Sequence, residues 1–390
     1  MLSIENLSVS GRRVFLRVDF NVPRVKGSDA LLDDTRIRET LPTIRYLLSQ
    51  KARVILASHL GRPKGRSPED SLEKIAEKLA ELLGQDVIFP EDCIGDSVKK
   101  LAHDLRDGEI MLLENLRFYP EEETNDPDFS KKLAQLAEVY VTDAFGVLHR
   151  SHASTVGMVR HFKERGIGFL VKKELEFLEP LLTKPAKPFY AILGGAKVSD
   201  KIGLIEHLLH RVDGLLLGGG LACTFLKAQG LPMGLSKVEE DRLYVAQRIF
   251  QKAQEGNIPI YLPVDHRVAD EFSPNAKARV VTQPAASDRV LDIGPETVRK
   301  YADILKRART IFWNGPMGVF EFPEFASGSL DIAKAVAASG AVSVVGGGES
   351  VAAVKQSGVS DQITHLSTGG GATLEFLEGK TLPGLKVLEG

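Results

Sequence analysis

Short apolar runs recur along the chain, each closed by glycine or polar residues and separated from the next by a helix-like stretch. In the first half VFLRV (14–18), RVILA (53–57), EIMLL (109–113) and EVYVT (138–142) read as buried parallel strands. In the second half FYAIL (189–193), GLLL (214–217), IPIYL (258–262), TIFW (310–313), AVSVV (341–345) and ITHL (363–366) read the same way. Between them lie amphipathic segments such as SLEKIAEKLAELLG (71–84), apolar at helical spacing and ending in glycine. This alternation predicts an α/β protein with mostly parallel sheet.

So many strands exceed one ordinary open sheet, so the pattern predicts two sheets in two domains. The join is placed in GFLVKKELEFLEPLLTKPAKP (168–188), a helical apolar pattern followed by Pro185 and Pro188. Glycine usage supports the division: of 36 glycines, 10 fall in residues 1–167 and 26 in the rest. First-half strands run into charged or amide side chains (DFN, SHLGR, ENLR, DAFGVLHR). Second-half strands run into glycine (GGAK, GGG, NGPMG, GGGES, STGGG). Ligands of open α/β sheets bind beyond the carboxyl ends of the strands. The two halves are therefore predicted to bind different things, the first with side chains and the second with backbone.

The first half presents Arg36, Arg62, Arg117 and Arg150 at or near strand ends, with His59 and His149 close by in sequence. A guanidinium offers a planar fork of donors suited to carboxylate or phosphate. DDTRIRETLPTIRYLL reads as a helix capped by Asp34 or Thr35, which puts Arg36 in its first turn. A cation there opposes the helix dipole by about 0.3–1 kcal/mol, a cost that makes sense if an anion comes to that helix end. Arg38, on the same helix, reads as surface charge. The histidines could serve as general bases, but in a basic pocket they read better as further anion donors. These loops lack a recurring carboxylate pair or a His/Cys cluster, which argues against glycosidase-type or zinc chemistry.

In the second half GGAKVSDKIGLIEHLLHRV (194–212) reads as turn and helix, with Ser199 or Asp200 as cap. GGGES before VAAV and STGGGA before TLEFLEG repeat the design. Such turns let backbone amides approach a polyphosphate, and the following helix adds its dipole. Lys197 and Lys201 supply point charges, while Glu321 and Glu349 are carboxylates available to a ribose hydroxyl or a magnesium ion. Neither G-x-x-x-x-G-K-[ST] nor G-x-G-x-x-G is present here. Arginines on one domain and a nucleotide on the other point to phosphoryl transfer across a cleft that closes to exclude water. The alternative is a two-domain dinucleotide-dependent dehydrogenase. A non-catalytic nucleotide scaffold would not need the arginines.

Bulk properties narrow this further. The 390 residues are 43% hydrophobic and 26% charged, and 50 Lys plus Arg against 52 Asp plus Glu leave a net charge of −2. That balance gives no support to nucleic acid or an acidic membrane as main partner. Cys93 and Cys223 are far apart, without metal-ligand spacing, and read as idle thiols in a reducing compartment. The start lacks a signal-peptide pattern and no apolar run reaches the length of a membrane span, so the expectation is a soluble cytoplasmic protein.

The motifs, in order, resemble the phosphoglycerate kinase family: RVDFNVP (17–23), SHLGRP (58–63), ENLRF (114–118), DAFG (143–146), HRSHAST (149–155), LGGAKVSDKI (193–202), LLGGG (216–220), WNGPMGVFEF (313–322) and STGGGATLEFLEGK (367–380). The resemblance implies two Rossmann-like domains whose parallel sheets face each other across a hinge cleft. Residues 1–167 would bind 3-phosphoglycerate, with 375–390 returning to that domain. Residues 168–185 would form the hinge helix and 186–374 the nucleotide domain. The implied reaction moves a phosphoryl group between 1,3-bisphosphoglycerate and ADP, giving 3-phosphoglycerate and ATP, with Mg²⁺ carried on the nucleotide, in a monomer.

By the same resemblance Asp19, Phe20, Asn21, Arg36, His59, Leu60, Gly61, Arg62, Arg117 and Arg150 would hold the phosphoglycerate. Lys197, Lys201, Gly219, Gly294, Asn314, Glu321, Gly347, Gly348, Glu349 and Ser350 would surround the nucleotide, with Glu349 toward the metal. Arg36, Lys197, Gly370 and Gly371 would act on the phosphoryl group in flight. Residues 346–350 read GGGES where the family usually has GGGDT. Glu349 is one methylene longer than aspartate, and Mg²⁺ demands near-ideal ligand geometry.

Overall fold

The computed structural model describes residues 1–22 and 33–389. Pro23, the last residue of the RVDFNVP motif, lies outside the described residues. The chain forms two compact units, Met1–Glu176 with Thr381–Gly390, and Phe177–Lys380.

In the first unit all six strands of the sheet are parallel. Their spatial order is Leu2–Ser3, Glu164–Ile167, Val139–Thr142, Arg13–Arg17, Arg53–Ala57, Ile110–Leu112. The apolar runs become its centre because both faces are covered: Val14, Leu16, Val54, Leu56, Ile110, Leu112, Val139 and Val141 share one core with Ile37, Ile44, Ile75 and Leu79 of the flanking helices. The helix read over 71–84 spans Glu73–Leu83, and Gly84 terminates it at φ 70. Chain order reverses between Arg13–Arg17 and Val139–Thr142, the crevice where open sheets bind ligands.

The second unit has its own six-stranded parallel sheet, in the order His365–Leu366, Val342–Gly346, Thr310–Asn314, Phe189–Leu193, Gly214–Leu217, Ile260–Tyr261. Its reversal lies between Phe189–Leu193 and Thr310–Asn314. Buried Trp313, Ile192, Leu216, Ile311 and Val345 pack there with helix residues Tyr301, Ile332, Val336 and Val354. Three strands that the apolar pattern does not announce, His266–Ala269, Arg279–Val281 and Arg289–Ile293, make a small antiparallel sheet.

The long helix read over 168–185 spans Phe169–Thr183. The helix expected to begin at Ser199 or Asp200 instead starts at Ile202 with Lys201 as its cap. The reason is that Ser199 is engaged elsewhere: its hydroxyl and its amide both donate to Glu239.

Candidate functional site

At the strand ends of the first unit Asp19, Asn21, Arg36, Gly61 and Arg117 form one connected set. Arg36 sits in the first turn of the helix Thr35–Ser49, as predicted, and its Nη1 donates to Asp19 Oδ2 at 3.0 Å and to the Asn21 carbonyl at 3.1 Å. Asn21 Oδ1 accepts from Gly61 N at 2.9 Å, and the Gly61 carbonyl accepts from Arg117 Nη1 at 2.6 Å. Three strand-end loops are thus tied together by the side chains that would meet an anion. Arg38 pairs with Asp34 at 2.8 Å on the surface, consistent with its reading as plain charge.

His59 is buried at 3% exposure, and burial, then the guanidiniums of Arg17, Arg117, Arg150 and Arg36, hold its pKa well below the ordinary histidine value. The ring is therefore neutral at pH 7. Arg17 Nη2 lies 3.3 Å from its Nδ1; a guanidinium only donates, so Nδ1 accepts and the ring proton sits on Nε2. His59 is thus a neutral N–H donor among cations, not a base. Arg117 is almost fully buried, and burial lowers its pKa although Glu123 lies 3.1 Å from its Nε. Arg150 Nε donates to His149 Nε2 at 3.3 Å, and Arg62 is exposed.

Two predicted residues contribute differently from expectation. The side chains of Phe20 and Leu60 are buried. Phe20 N donates to Ser58 Oγ at 2.8 Å, and the Leu60 backbone pairs both ways with the Asn115 amide at 3.2 and 2.9 Å. They shape the loops and leave no side chain for a ligand. Sequence reasoning gave Arg17 no role, yet it lies buried behind the site and donates to Ser154 Oγ at 2.8 Å, which in turn donates to buried Glu122 at 2.5 Å. Its position two residues before Asp19 was the available signal.

In the second unit a cavity of about 580 Å³ opens beside the strand ends. Gly195, Ala196, Gly219, Gly220, Pro316 and Gly318 give it a backbone wall, and Glu321 and Glu349 stand on its rim. Gly219 takes φ +64 with the Gly195 carbonyl 2.6 Å from where a Cβ would be, so only glycine fits. Lys197 follows directly on the lining residue Ala196 and is exposed. Glu349 is exposed in the first turn of the helix Gly348–Ser357, whose cap is Gly347. Gly370 caps the helix Gly371–Leu377.

Several of the residues expected at the nucleotide are also bonded within the unit. Lys201 is mostly buried and donates to Asn314 Oδ1; burial pulls its pKa down to about 8, against the opposing pull of Asp200, Glu349 and Glu378. Asn314 also donates to the Gly346 carbonyl at 2.7 Å, and Ser350 Oγ accepts from Gly315 N at 2.6 Å. These bonds fix the glycine turns on both sides of the sheet reversal. Gly294 does not line the cavity: it is buried against Asp265, whose Cγ would lie 2.2 Å from an added Cβ.

The opposite wall was missed. Leu235, Lys237, Phe272, Arg289 and Asp292 line it, the last two from the small antiparallel sheet. Phe272 is 62% exposed and meets Phe322 at 5.0 Å, which leaves an aromatic face open at the rim. Among the described residues no group of three or more His, Cys, Asp or Glu could hold a metal ion, and no helix is long and apolar enough to cross a membrane.

Comparison with known proteins agrees with this geometry. The family model described as phosphoglycerate kinase matches residues 4–380. A curated phosphoglycerate kinase of Anaeromyxobacter dehalogenans is 54% identical over 393 residues, covering 99% of each chain. The cytosolic phosphoglycerate kinase of Triticum aestivum is 51% identical over 386 residues, 98% of this chain and 96% of that one. The solved structure of phosphoglycerate kinase from Coxiella burnetii superposes with a TM-score of 0.89 at 42% identity, covering 100% of this chain and 98% of that one. None of these supports the dehydrogenase alternative. A site of linked arginines on one sheet, a glycine-walled cavity on another and relatives more than half identical along the whole length give one answer: the chain belongs to the phosphoglycerate kinase family.

Proposed function

We propose that the first unit holds 3-phosphoglycerate on Asp19, Asn21, Arg36, His59, Gly61, Arg62, Arg117 and Arg150, and that the cavity of the second holds the nucleotide. Family membership supplies the reaction itself: a kinase that transfers phosphate between ATP and the carboxyl group of phosphoglycerate. What supports the assignment of residues is the hydrogen-bonded chain from Asp19 through Arg36, Asn21 and Gly61 to Arg117. Like charges so close together would scatter unless held, and here carboxylate and backbone oxygens hold them with donors to spare. Neutral His59 adds a donor without adding to that repulsion.

Phosphoryl transfer needs position and charge neutralisation more than a covalent intermediate. Arg36 neutralises charge on the group bound to the carboxylate, and Lys197 neutralises it as the group leaves the nucleotide. The amides at Gly370 and Gly371 would add donors for the spread charge of the transition state. Lys201, Asn314 and Ser350 hold the turns that carry these groups.

Mg²⁺ fits the second unit as an ion brought by the nucleotide. Two exposed carboxylates, Glu321 and Glu349, stand on the cavity rim, and so small a donor set suits a cation that keeps most of its shell as phosphate and water. When bound, the ion would neutralise phosphate charge. Glu349→Gln is expected to raise the Mg²⁺ concentration for half-maximal activity by about fivefold, the scale of one exposed charge interaction. Monomeric, cytoplasmic working is part of the same reading; both cysteines are free and buried, as a reducing compartment would leave them.

The test is ATP consumption with Mg²⁺ and 3-phosphoglycerate, coupled to NADH oxidation by a dehydrogenase that reduces the acyl phosphate. Turnover should require both substrates, and Arg117→Ala should weaken phosphoglycerate binding while leaving ATP binding intact. Equal loss of both affinities would overturn the division of labour.

A further inference from the structure

We propose that Lys237 and Arg289 read the base of the nucleotide and select a 6-oxopurine, guanine, over adenine. The inference rests on the assignment of the second unit's cavity to the nucleotide and deepens it. The two walls of that cavity differ in chemistry. The glycine wall, which runs on into Lys197, suits phosphate. The opposite wall carries larger side chains, Leu235, Val290 and the exposed Phe272, and suits the flat face of a base. Two cations stand on that same wall, Lys237 exposed and Arg289 half-buried, and among the described residues neither forms an ion pair. The carboxyl groups nearest Arg289 in sequence give it no countercharge. Asp288 pairs with Arg279 at 2.7 Å. Asp292 accepts from Ile293 N and Gly328 N, and burial pushes its pKa up to about 8, which leaves it mostly protonated at pH 7. Glu321 and Glu349 also line the cavity, and neither is paired with either cation.

The pair is held on one wall before any nucleotide arrives. Gly234 turns the chain at φ +53, with the carbonyl oxygens of Ala285 and Asp288 where a Cβ would go, so the loop after it lies flush on the strand Arg289–Ile293. Three bonds fix it there. Leu235 N donates to the Asp288 carbonyl at 2.7 Å, Val290 N to Ser236 Oγ at 2.9 Å, and Arg289 Nη1 to the Leu235 carbonyl at 3.0 Å. The last bond takes one of the five N–H donors of the guanidinium and leaves the others for a ligand. Guanine presents two acceptors side by side, O6 and N7, which a guanidinium or an ammonium satisfies together. Adenine presents N7 beside an amino group and would set donor against donor. The residues that suit adenine are asparagine and glutamine, which both donate and accept. Neither is among the described lining residues.

The test is the Kd of GDP and of ADP, each titrated calorimetrically with Mg²⁺ into the full chain. GDP should bind about tenfold more tightly than ADP, the scale of one two-pronged base contact on a partly exposed wall. Lys237→Met/Arg289→Met removes both charges and should weaken GDP about tenfold, bringing the two affinities together. Because Arg289 also holds Leu235, Lys237→Met is measured alone as well, with a loss of roughly threefold expected for GDP and none for ADP. IDP keeps O6 and N7 but lacks the 2-amino group, so it should follow GDP in every variant. Phe272→Ala should weaken both nucleotides by a similar factor, roughly tenfold, as loss of a stacking face does. If neither nucleotide binds, or Phe272→Ala affects neither, the nucleotide assignment falls and the base reading with it. If both bind and Phe272→Ala weakens both, that assignment stands. The base reading alone is then overturned by ADP binding as tightly as GDP, or by a ratio that neither Lys237→Met nor the double variant moves.

Discussion

Arg36 reaches its place through Asp19 and Asn21, whereas Lys197 stands exposed at the end of a glycine turn. The contrast runs through both units. In the first, candidate donors are side chains that would repel one another, and Arg36 and Arg117 are tethered to a carboxylate or a backbone oxygen before any ligand arrives. In the second, the wall of the cavity is backbone fixed by the fold, and Lys201, Asn314 and Ser350 bond to one another's turns and brace it. A charged site built from side chains needs a network; one built from backbone needs glycines and buried supports. The prediction that breaks this comparison most sharply is Lys197→Ala. It should lower kcat by roughly 10²–10³ with little change in the KM for ATP, because it removes a charge donor to the transition state. A raised KM with kcat intact would make Lys197 a plain binding residue and the second site a ground-state clamp.

Each unit also buries an aspartate that accepts from backbone amides and whose pKa burial raises to neutrality or above, which allows the two to be compared by pH. Asp143 accepts from Leu170 N and Val171 N at 2.9 and 3.2 Å, and burial pushes its pKa up to about 7. Asp292 accepts from Ile293 N and Gly328 N at 2.9 and 2.7 Å, and burial pushes it up to about 8. In the unfolded chain both titrate near about 3.9. The folded state therefore holds the proton more tightly. The stability each contributes is full below about pH 4, is lost as pH rises through the folded value, and is level beyond it. Shifts of this size are worth on the order of 4 to 6 kcal/mol between plateaus. The first unit should stop losing stability near pH 7, while the second continues to about pH 8. Trp313, the one tryptophan, is buried in the second unit and reports its unfolding; hydrogen exchange reports the first. Asp143→Asn should flatten only the first profile, and a change in both would show that the units do not titrate independently.

How much was legible follows from the same physics. Strands buried on both faces are continuous apolar runs, so all ten runs read from the sequence correspond to strands of the two parallel sheets. Glu164–Ile167 was missed because ERGI carries two charges and a glycine, and it is recognisable only through its pairing with Val139–Thr142 on one side and Leu2–Ser3 on the other. The small antiparallel sheet was missed because its strands are short and half exposed, and with it went Arg289 and Asp292 on the cavity wall. The arginines of the first unit were legible as anion donors because strand ends in such sheets face the ligand crevice. Their tethers were legible only in part: Asp19 and Asn21 stand beside Arg36 in the motif reading, but Arg17 and Glu122 join the network through contacts more than a hundred residues apart in sequence or through a bridging serine.

Glu239 is the other non-local support, and it sharpens the comparison by the smallest step. Its carboxylate accepts from Val198 N, from Ser199 N at 3.0 Å and from Ser199 Oγ at 2.7 Å, pinning the segment between Lys197 and Lys201. Its own amide donates to Thr224 Oγ1 at 3.1 Å, which donates to the carbonyl of the cavity residue Gly220 at 3.2 Å. Glu239→Gln keeps the shape but halves the acceptor capacity, so the segment loosens. If the second site depends on backbone held in advance, kcat should fall roughly tenfold, because misplacing a charge donor costs rate more than binding. The cycle with Lys197→Ala decides the cause. If Glu239 acts by placing Lys197, the double variant is no slower than Lys197→Ala alone; if the two losses multiply, Glu239 acts on the site by some other route.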